Sequence, residues 1–399
     1  MPAEHITQGP AIPLARWADR QLQAMAEAHG LPCLAGATLM GERAAGGGYT
    51  ISGTTSAGLG GSRLMPTRDG NWFALTLIRD VDRELLPALF GDDTIDTRDW
   101  NAIAAAVLRH DVRDLVETGR TLGLPVARID EVPASPAVEA MLRGENRKRA
   151  ALHQALVVDL SAIWAGPLAG HLFWQAGMEV VKVESLTRPD LIRRDDPATF
   201  DRINQGKASI LVDFADDAQK AALVALIRRA DIVIESSRPR ALPHLDIDAE
   251  TLIRETPGLV WLSITGHGAS GEAADWVGIG NDCGVAGGLT RAMAEAGGGI
   301  GYVADAVADP LTGIVAAREG LAAYESGVAQ RIGLSMSAIC AMALAEERAH
   351  NRAMIDAELR AWGQAVGHPF PIVGTRPLKA AVRPIGADTA RYLSAMASC

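Results

Sequence analysis

Two shortages mark this sequence, one of cysteine and one of positive charge. Its 399 residues include only four cysteines with no CxxC pair, at Cys33, Cys283, Cys340 and Cys399. Four are too few for a disulfide framework in a chain of this length, so we expect free thiols in a reducing compartment. The formal net charge of −10 argues against a nucleic-acid or anionic-membrane partner, because both require a basic field. An anionic ligand would need a local basic pocket.

A membrane-spanning run and a targeting segment are also missing from the sequence. The stretch from Leu160 to Trp174 has no acidic residue, lysine or arginine, but Pro167 and its glycine and histidine interruptions make it a poor membrane span. The N-terminal stretch MPAEHITQGPAIPLARW has neither signal-peptide nor transit-peptide composition. We therefore expect a soluble cytoplasmic protein with no membrane partner.

Several familiar catalytic and cofactor motifs are absent. The chain has no GxGxxG dinucleotide fingerprint and no GxSxG nucleophile motif. Three histidines, His171, His244 and His267, form no pair with metal-ligand spacing, and the cysteines do not complete a set. A lone histidine is more often structural than catalytic, so we predict no metal site.

A regular alternation of strands and helices begins near Leu156. Five short β-rich runs alternate with helical patterns, and they read ALVVDL, MEVVKVE, ASILVDF, DIVIE and LVWLSI. This order predicts an α/β fold in which a Rossmann-like parallel sheet carries helices on both faces. In DDAQKAALVALIRRA, Asp216 or Asp217 is expected to cap a helix. A sheet of this kind binds ligands beyond the carboxyl ends of its strands.

The first 150 residues follow a different pattern. RDGNWFALTL predicts a hairpin strand after a turn, and Asp99 to Leu122 has helical periodicity. These features predict a smaller α+β domain at residues 1–150, with a loop at residues 48–62 and a charged, proline-containing connection at its end. We place the large α/β domain at residues 151–340 and a helical C-terminal extension and tail at residues 341–399.

Two regions of the large domain could bind an anion, and each has a second interpretation. In DLSAIWAGPLAG, Pro167 suits the first turn of a helix, whose N-terminus could bind an anion or could only complete a tight turn. A basic cluster follows at Lys182, Arg188, Arg193, Arg194, Arg202 and Lys207. It could hold phosphates or form a solvated surface paired with the intervening aspartates.

The stretch ADAVADPLTGIVAA contains two aspartates, and the second has a positional signal. Asp309 precedes Pro310 and an apolar helical run, which predicts Asp309 as the N-cap and Pro310 as the next position. Its carboxylate could simply accept backbone N–H bonds. Because the same bonds favour the ionised form, it could also act as a nucleophile or general base. Asp305 is expected in the preceding strand or loop.

Six segments occur in a telling order, and they read VVDLSAIWAGPLAG, GMEVVKVE, NQGKASILVDF, ADIVIESSRPRAL, LVWLSITGHGASG and ADPLTGIVAAREGLAAYESGVAQRIGLSMSAICAMAL. In this order they resemble the family III CoA-transferases, which include formyl-CoA transferase, carnitine CoA-transferase and the 2-methylacyl-CoA racemases. The resemblance covers roughly Leu156 to Leu344.

The resemblance implies a function and a set of site residues. Asp309, four residues before Gly313, matches the carboxylate that attacks an acyl-CoA thioester and then forms an aspartyl-CoA intermediate. The two loops of the family that bind coenzyme A fall on Ala162, Ile163, Trp164 and Ala165 and on Ser236, Ser237 and Arg238. The implied partners are an acyl-CoA, a small carboxylic acid and a second copy of the chain in an interlocked homodimer.

The sequence also departs from the family pattern. Ser185 and His244 stand where many family members have basic residues. The phosphates of coenzyme A are therefore expected to bind Arg188, Arg193 or Arg238, or to be held weakly. Where racemases have a His-Asp pair, an ungapped alignment gives Ile279 and Gly280, although a two-residue shift would place Asp282 there. Small-domain-like sequence comes first, which indicates a permuted or partial domain order. The alternatives to a transferase are a weak or inactive CoA-binding homologue and a 2-methylacyl-CoA racemase.

Overall fold

The computed structural model describes residues 9–58 and 61–393. Its strands are β1 Ser62–Pro66, β2 Trp72–Thr76, β3 Val126–Arg128, β4 Val138–Asn146, β5 Leu156–Asp159, β6 Glu179–Ser185, β7 Ala208–Val212, β8 Ile232–Glu235, β9 Val260–Thr265 and β10 Val328–Ser335. Its helices are α1 Ala15–His29, α2 Gly36–Gly46, α3 Asp80–Glu84, α4 Leu86–Phe90, α5 Trp100–Val107, α6 Val112–Leu122, α7 Ala165–Gln175, α8 Ile192–Asp195, α9 Pro197–Asn204, α10 Asp217–Ile227, α11 Ala249–Glu255, α12 Gly280–Ala286, α13 Leu289–Glu295, α14 Ala308–Ser326, α15 Met336–Gln364 and α16 Thr389–Leu393.

A seven-stranded sheet forms the centre of the fold, with strand order β4-β10-β9-β8-β5-β6-β7. The five predicted strands are β5 to β9, and they run parallel as expected. β10 extends the parallel set, and β4 closes the edge antiparallel to it. The charged connection expected before residue 150 therefore contains a strand. Its residues are largely solvent-facing, which is why it lacks the apolar signature of a core strand.

Successive residues of the parallel strands point to opposite faces of the sheet, and each face carries its own core. Val157 and Leu262 belong to the core formed with α1, α2, α7, α14 and α15. Val158 and Trp261 belong to the core formed with α10, α11 and α16. The predicted cap of α10 is confirmed, because Asp216 accepts the N–H groups of Ala218 and Gln219 at 2.9 and 3.3 Å.

A smaller unit is built on the three-stranded antiparallel sheet β1-β2-β3. The predicted hairpin pairs Ser62 with Thr76 and Pro66 with Trp72. One face of this sheet packs on α4, α5 and α6. The other face packs on α12. The predicted helical stretch from Asp99 to Leu122 is two helices, α5 and α6, with a break at residues 108–111.

The N-terminal helices pack on the large sheet rather than on the smaller unit. Trp17 of α1 is fully buried in the core of the large sheet, and its indole N–H donates to Glu346 of α15 at 2.7 Å. The apolar cores thus group residues 10–51 with the large domain. The domain limits at residues 150 and 340 stay predictions.

Two further expectations concern a loop and a membrane. The predicted loop at residues 48–62 is irregular apart from isolated bridges at Thr50 and Thr55 and its last residue, Ser62, which begins β1. Its residues 59 and 60 lie outside the described residues. Within residues 9–58 and 61–393, no helix combines the length and apolar character needed to cross a bilayer.

Candidate active site

Asp309 lies in the first turn of α14, but it is not the N-cap. The helix begins at Ala308, and Val307 occupies the cap position. The prediction was wrong because the helix begins two residues earlier than expected, directly after a tight turn with left-handed φ values of 58° at Ala304 and 43° at Ala306. Pro310 remains compatible with this register, since the first helical N–H groups have no intrahelical partner.

Three helix starts meet at the Asp309 carboxylate. It accepts hydrogen bonds from the backbone amides of Ala165, at the start of α7, and Gly280, at the start of α12. Only glycine fits at position 280, because an added Cβ would lie 2.0 Å from Asp309 Oδ2. The helix start in DLSAIWAGPLAG therefore has a function in this structure, since its first N–H binds the Asp309 carboxylate.

Burial raises the pKa of Asp309 to about 7, while Arg43 and the two amides act in the opposite direction. The side chain is only 5% exposed. A carboxyl with this pKa exists in both protonation states near neutral pH, and perturbed groups of this kind concentrate at functional sites. In its ionised form Asp309 is chemically able to act as a nucleophile.

Arg43 of α2 links the N-terminal region to this site. Its guanidinium binds both carboxylate oxygens of Asp305, with Nε at 2.8 Å from Oδ2. It also lies 5.0 Å from the centre of the Trp164 ring and 5.8 Å from that of Tyr49. Asp305 lies in the turn before α14, as expected, and is ion-paired. No sequence motif indicates Arg43, which is 262 positions from its partner.

A second buried carboxyl, Asp282, lies near Asp309. It accepts hydrogen bonds from the Ile279 N–H at 3.1 Å and the Thr76 hydroxyl at 3.0 Å. Burial raises the pKa of Asp282 to about 7, and the charge of Asp309 adds to the effect. Asp282 does not line the cavity that contains Asp309, whereas Ile279 does. The sequence indicated Asp282 only through a shifted alignment.

His267 and Cys283 lie beside Asp282. His267 Nε2 is 4.0 Å from the Asp282 carboxylate, and burial lowers the pKa of His267 to about 3, so its imidazole is neutral. One potential ligand atom from each of these three buried side chains falls within 4.8 Å of the others. Their spacing in space is compatible with a metal ion, whereas their sequence spacing predicted none. The expectation of no metal stays a prediction.

A cavity of about 210 Å³ opens onto Asp309. Six of the seven residues predicted to contact coenzyme A line it, and they are Ala162, Ile163, Ala165, Ser236, Ser237 and Arg238. The seventh, Trp164, is not a lining residue. It is 5% exposed and packs in the core beneath Arg43.

The two predicted coenzyme A loops are joined to each other and to the sheet. The Ala162 N–H donates to Ser236 Oγ at 3.3 Å, and the Ile163 N–H donates to Asp190 at 3.2 Å. Asp190 in turn binds the buried ammonium of Lys182, which also donates to the Ser161 carbonyl. Ile163 has a φ of 70°, a left-handed conformation that is rare for a β-branched residue and is typical of functional loops.

Most of the predicted basic cluster is ion-paired within the protein. Lys182 pairs with Asp190, Lys207 with Asp159, Arg193 with Glu184, and Arg194 with Asp195. All four residues are paired within the protein, but only Arg194 with Asp195 fits the predicted solvated surface, because Lys182 and Lys207 are buried. Arg193, one of three residues expected to meet the phosphates, is engaged by Glu184.

A wider groove of about 910 Å³ adjoins the cavity at Asp309, and the two share Arg238 and Trp276. The smaller unit contributes Arg113, Arg120 and Arg128 to the groove, and the large domain contributes Arg238, Arg240 and His244. Arg238 has no ion pair with any residue of 9–58 or 61–393. Arginine side chains from both units thus line this groove, together with the acidic residues Glu117, Glu272 and Asp275.

Comparison with known proteins places the chain in a family. Residues 152–375 match the family described as CoA-transferase family III. The chain belongs to this family. The fold is accordingly the α/β fold that the sequence predicted.

The relatives are CoA-transferases with different substrates. The chain is 35% identical over 131 residues to a succinyl-CoA:mesaconate CoA-transferase of Haloarcula hispanica, covering 30% of this chain and 32% of that protein. It is 31% identical over 208 residues to a succinate–glutarate CoA-transferase of Agrobacterium fabrum, covering 48% and 52%. The chain therefore spans between a third and about half of the length of these relatives.

Solved structures overlap with the chain to a similar extent. A hypothetical protein from Mycobacterium tuberculosis shows 28% identity and a TM-score of 0.44, and covers 50% of this chain and 59% of its own. A CAIB/BAIF family protein from Brucella suis shows 26% identity and a TM-score of 0.46, with coverage of 52% and 58%.

Proposed function

We propose that this member of the family transfers coenzyme A from an acyl-CoA to a carboxylic acid, with Asp309 as the nucleophile. The observation that carries the proposal is the Asp309 carboxyl itself. It faces the cavity, its pKa is raised to about 7 by burial, and it is held by an amide of the helix that follows the first CoA loop. Family membership supports coenzyme A as the substrate.

The chemistry requires two exchanges at the same carboxylate. The ionised Asp309 oxygen attacks the thioester carbonyl, the coenzyme A thiolate leaves, and an aspartyl–acyl anhydride forms. The thiolate then attacks the aspartyl carbonyl, which releases the first acid and leaves an aspartyl-CoA thioester. The incoming carboxylate attacks this thioester and displaces the thiolate, which gives a second aspartyl–acyl anhydride. The thiolate then attacks the acyl carbonyl of that anhydride and releases the Asp309 carboxylate. Asp309 is regenerated, and each barrier is lower than that of a direct exchange.

The surrounding residues suggest how coenzyme A would be oriented. Ala162, Ile163, Ala165, Ser236 and Ser237 would hold the pantetheine arm in the cavity, with the thiol toward Asp309. Arg238 would meet the phosphates where the cavity joins the arginine-rich groove, because guanidinium groups form strong charge-assisted bonds to phosphate. Trp164 would act indirectly, by supporting Arg43 beneath the loop.

Trapping the intermediate tests the proposal. The relatives' substrates suggest succinyl-CoA as donor, with mesaconate or glutarate as acceptor. Incubation with succinyl-CoA followed by hydroxylamine is expected to convert Asp309 into a hydroxamate, detected by peptide mass spectrometry. Asp309→Asn should abolish the modification, while Asp217→Asn, an exposed change, should not. Acyl exchange without any modification of Asp309 would refute the mechanism.

A CoA-binding protein without transfer activity is the second candidate. It is favoured by one observation, namely that the chain matches only part of its catalytic relatives. Calorimetry with coenzyme A distinguishes the two. Binding that is unchanged in Asp309→Asn, together with no exchange across a panel of acids, would support this candidate over transfer.

We also propose that the protein acts as a homodimer in the cytoplasm. Large apolar side chains are exposed along one C-terminal stretch, with Val366 at 50%, Ile372 at 63% and Leu378 at 53%, and a second copy could cover them. Light scattering should give a mass of two chains. A monomer at micromolar concentration would contradict this part of the proposal.

A further inference from the structure

A second cavity lies on the side of α7 that the proposed chemistry does not use. It has a volume of about 390 Å³ and is enclosed by α7, by the segment that leads into α2, and by the extended chain near residue 376. We call it the α7–tail cavity, defined by Cys33, Thr38, His171, Gln175, Arg376 and Lys379. It shares no lining residue with the cavity at Asp309. Its size is in the range of small-molecule sites.

Three buried polar atoms on its lining side chains have no hydrogen-bond partner within the described parts of the chain. They are His171 Nδ1, Gln175 Oε1 and Arg376 Nη1. His171 is only 1% exposed. Leaving buried polar atoms without partners is costly, so three in one cavity indicate that something else satisfies them.

The hydrogen-bonding roles of the three atoms can be assigned. The Gln175 amide nitrogen can only donate, so His171 Nε2, which lies 2.9 Å away, accepts from it. Burial, together with the charges of Arg376, Lys207 and Lys379, holds the pKa of His171 well below its usual range. The imidazole is therefore neutral, and its Nδ1 carries the proton. The side chains that line the cavity thus carry two donors without partners, on His171 and Arg376, and one acceptor without a partner, on Gln175.

The charge on the cavity wall favours an anion. Arg376 and Lys379 line it, and no acidic residue does within the part of the chain that the structure describes. Glu42 binds Arg376 through Nε and Nη2, which leaves Nη1 free to bind another group. Lys379 has no ion pair among the described residues. Because Glu42 offsets the charge of Arg376, the uncompensated positive charge at the cavity is that of Lys379, in a chain whose net charge is −10.

We propose that the α7–tail cavity binds a small hydroxycarboxylic acid. The carboxylate accepts from His171 Nδ1 and Arg376 Nη1 and is attracted by Lys379, and the hydroxyl donates to Gln175 Oε1. A simple carboxylic acid would leave the Gln175 oxygen without a donor, and a neutral alcohol would leave the cationic wall without an anion. The ligand contacts the helix whose first residue binds Asp309, but its binding does not depend on CoA transfer.

The exposed thiol of Cys33 provides a direct assay. Cys283 and Cys340 are buried, and Cys399, which lies outside the described residues, is replaced by serine so that Cys33 alone reports. The alkylation rate is measured with L-malate, with succinate, which lacks the hydroxyl, and with glycerol, which lacks the charge. We expect malate to slow alkylation most, succinate less, and glycerol not at all. The Asp309→Asn protein should show the same order.

Two variants assign the contacts. Lys379→Ala should weaken protection by both acids about tenfold, as expected for a lost charge-assisted contact. Gln175→Met should remove the advantage of malate over succinate while leaving succinate protection intact. Lys148→Ala, an exposed charge change away from the cavity, should behave as the parent protein.

Calorimetric titration with malate provides a second measurement that does not rely on the thiol. No protection and no heat with either acid would overturn the proposal and leave the cavity to water. Equal protection by glycerol, or protection that survives both cavity variants, would overturn it as well.

Discussion

Replacing Asp309 with asparagine should stabilise the protein above neutral pH while it abolishes transfer. Asparagine resembles the protonated carboxylic acid at every pH, and its side-chain oxygen can still accept a backbone N–H bond. The wild-type protein must instead hold a buried negative charge once Asp309 ionises. The variant therefore separates the cost of that charge from the rest of the site.

The size and sign follow from the pKa of Asp309, which burial raises from 3.8 to about 7. The folded state binds this proton more tightly than the unfolded state. Its stabilising effect is therefore complete below about pH 4 and is lost as the pH rises through about 7. The change corresponds to about 4 kcal/mol, since one pKa unit equals about 1.4 kcal/mol. Asparagine avoids this loss.

Urea unfolding monitored by tryptophan fluorescence, at about pH 4.5 and about pH 8.5, measures the effect. The Asp309→Asn variant should exceed the wild type clearly at the higher pH and only slightly at the lower pH. Asp190→Asn is the control, because removing the partner of buried Lys182 should destabilise by about 3 kcal/mol. Equal wild-type and Asp309→Asn stabilities at the higher pH would refute the reasoning.

Three other substitutions test the site. Gly280→Ala should lower kcat by about 100-fold, because the added Cβ would displace the Asp309 carboxylate. A near-normal kcat would contradict this expectation. Gly284→Ala, on the same helix, is the control. Arg43→Gln should raise the pKa of Asp309 further, so the acidic limb of the pH–rate profile should move to higher pH. Arg43→Lys should return the limb to its original position. An unmoved limb in Arg43→Gln would show that Arg43 does not act on Asp309. Arg238→Ala should raise KM for the acyl-CoA about tenfold with kcat unchanged, and a KM insensitive to both the change and added salt would place the phosphates elsewhere.

The elements that the sequence predicts well are those with local signals. β5 to β9 are apolar runs buried on both faces, and α10 has its cap at Asp216, so periodicity and capping chemistry are sufficient to locate them. β4 was missed because an edge strand exposed to solvent carries charged residues such as Glu139 and Arg143. The break between α5 and α6 was missed because the apolar periodicity continues across it.

The candidate site likewise contains residues that sequence motifs locate and residues that they do not locate. Asp309 and the loops at 162–165 and 236–238 were located by motifs along the chain. Arg43 and Thr76 reach the site from other elements, and nothing in their sequence neighbourhood indicates where they fold. Trp164 was expected to face the ligand with its neighbours, but the left-handed conformation of Ile163 turns the next side chain into the core. The spacing of residues along the sequence does not predict this change in the direction of the Trp164 side chain.

Asp190 binds both the Lys182 ammonium and the Ile163 N–H, and this arrangement has a consequence for the rate of ligand binding. A loop that must order itself when a ligand arrives loses conformational entropy at that moment and slows association. Here the loop is fixed beforehand by a buried ion pair that originates on β6. Acyl-CoA should therefore associate at a rate set by diffusion and orientation, and differences in affinity between acyl groups should arise mainly from how fast each one leaves.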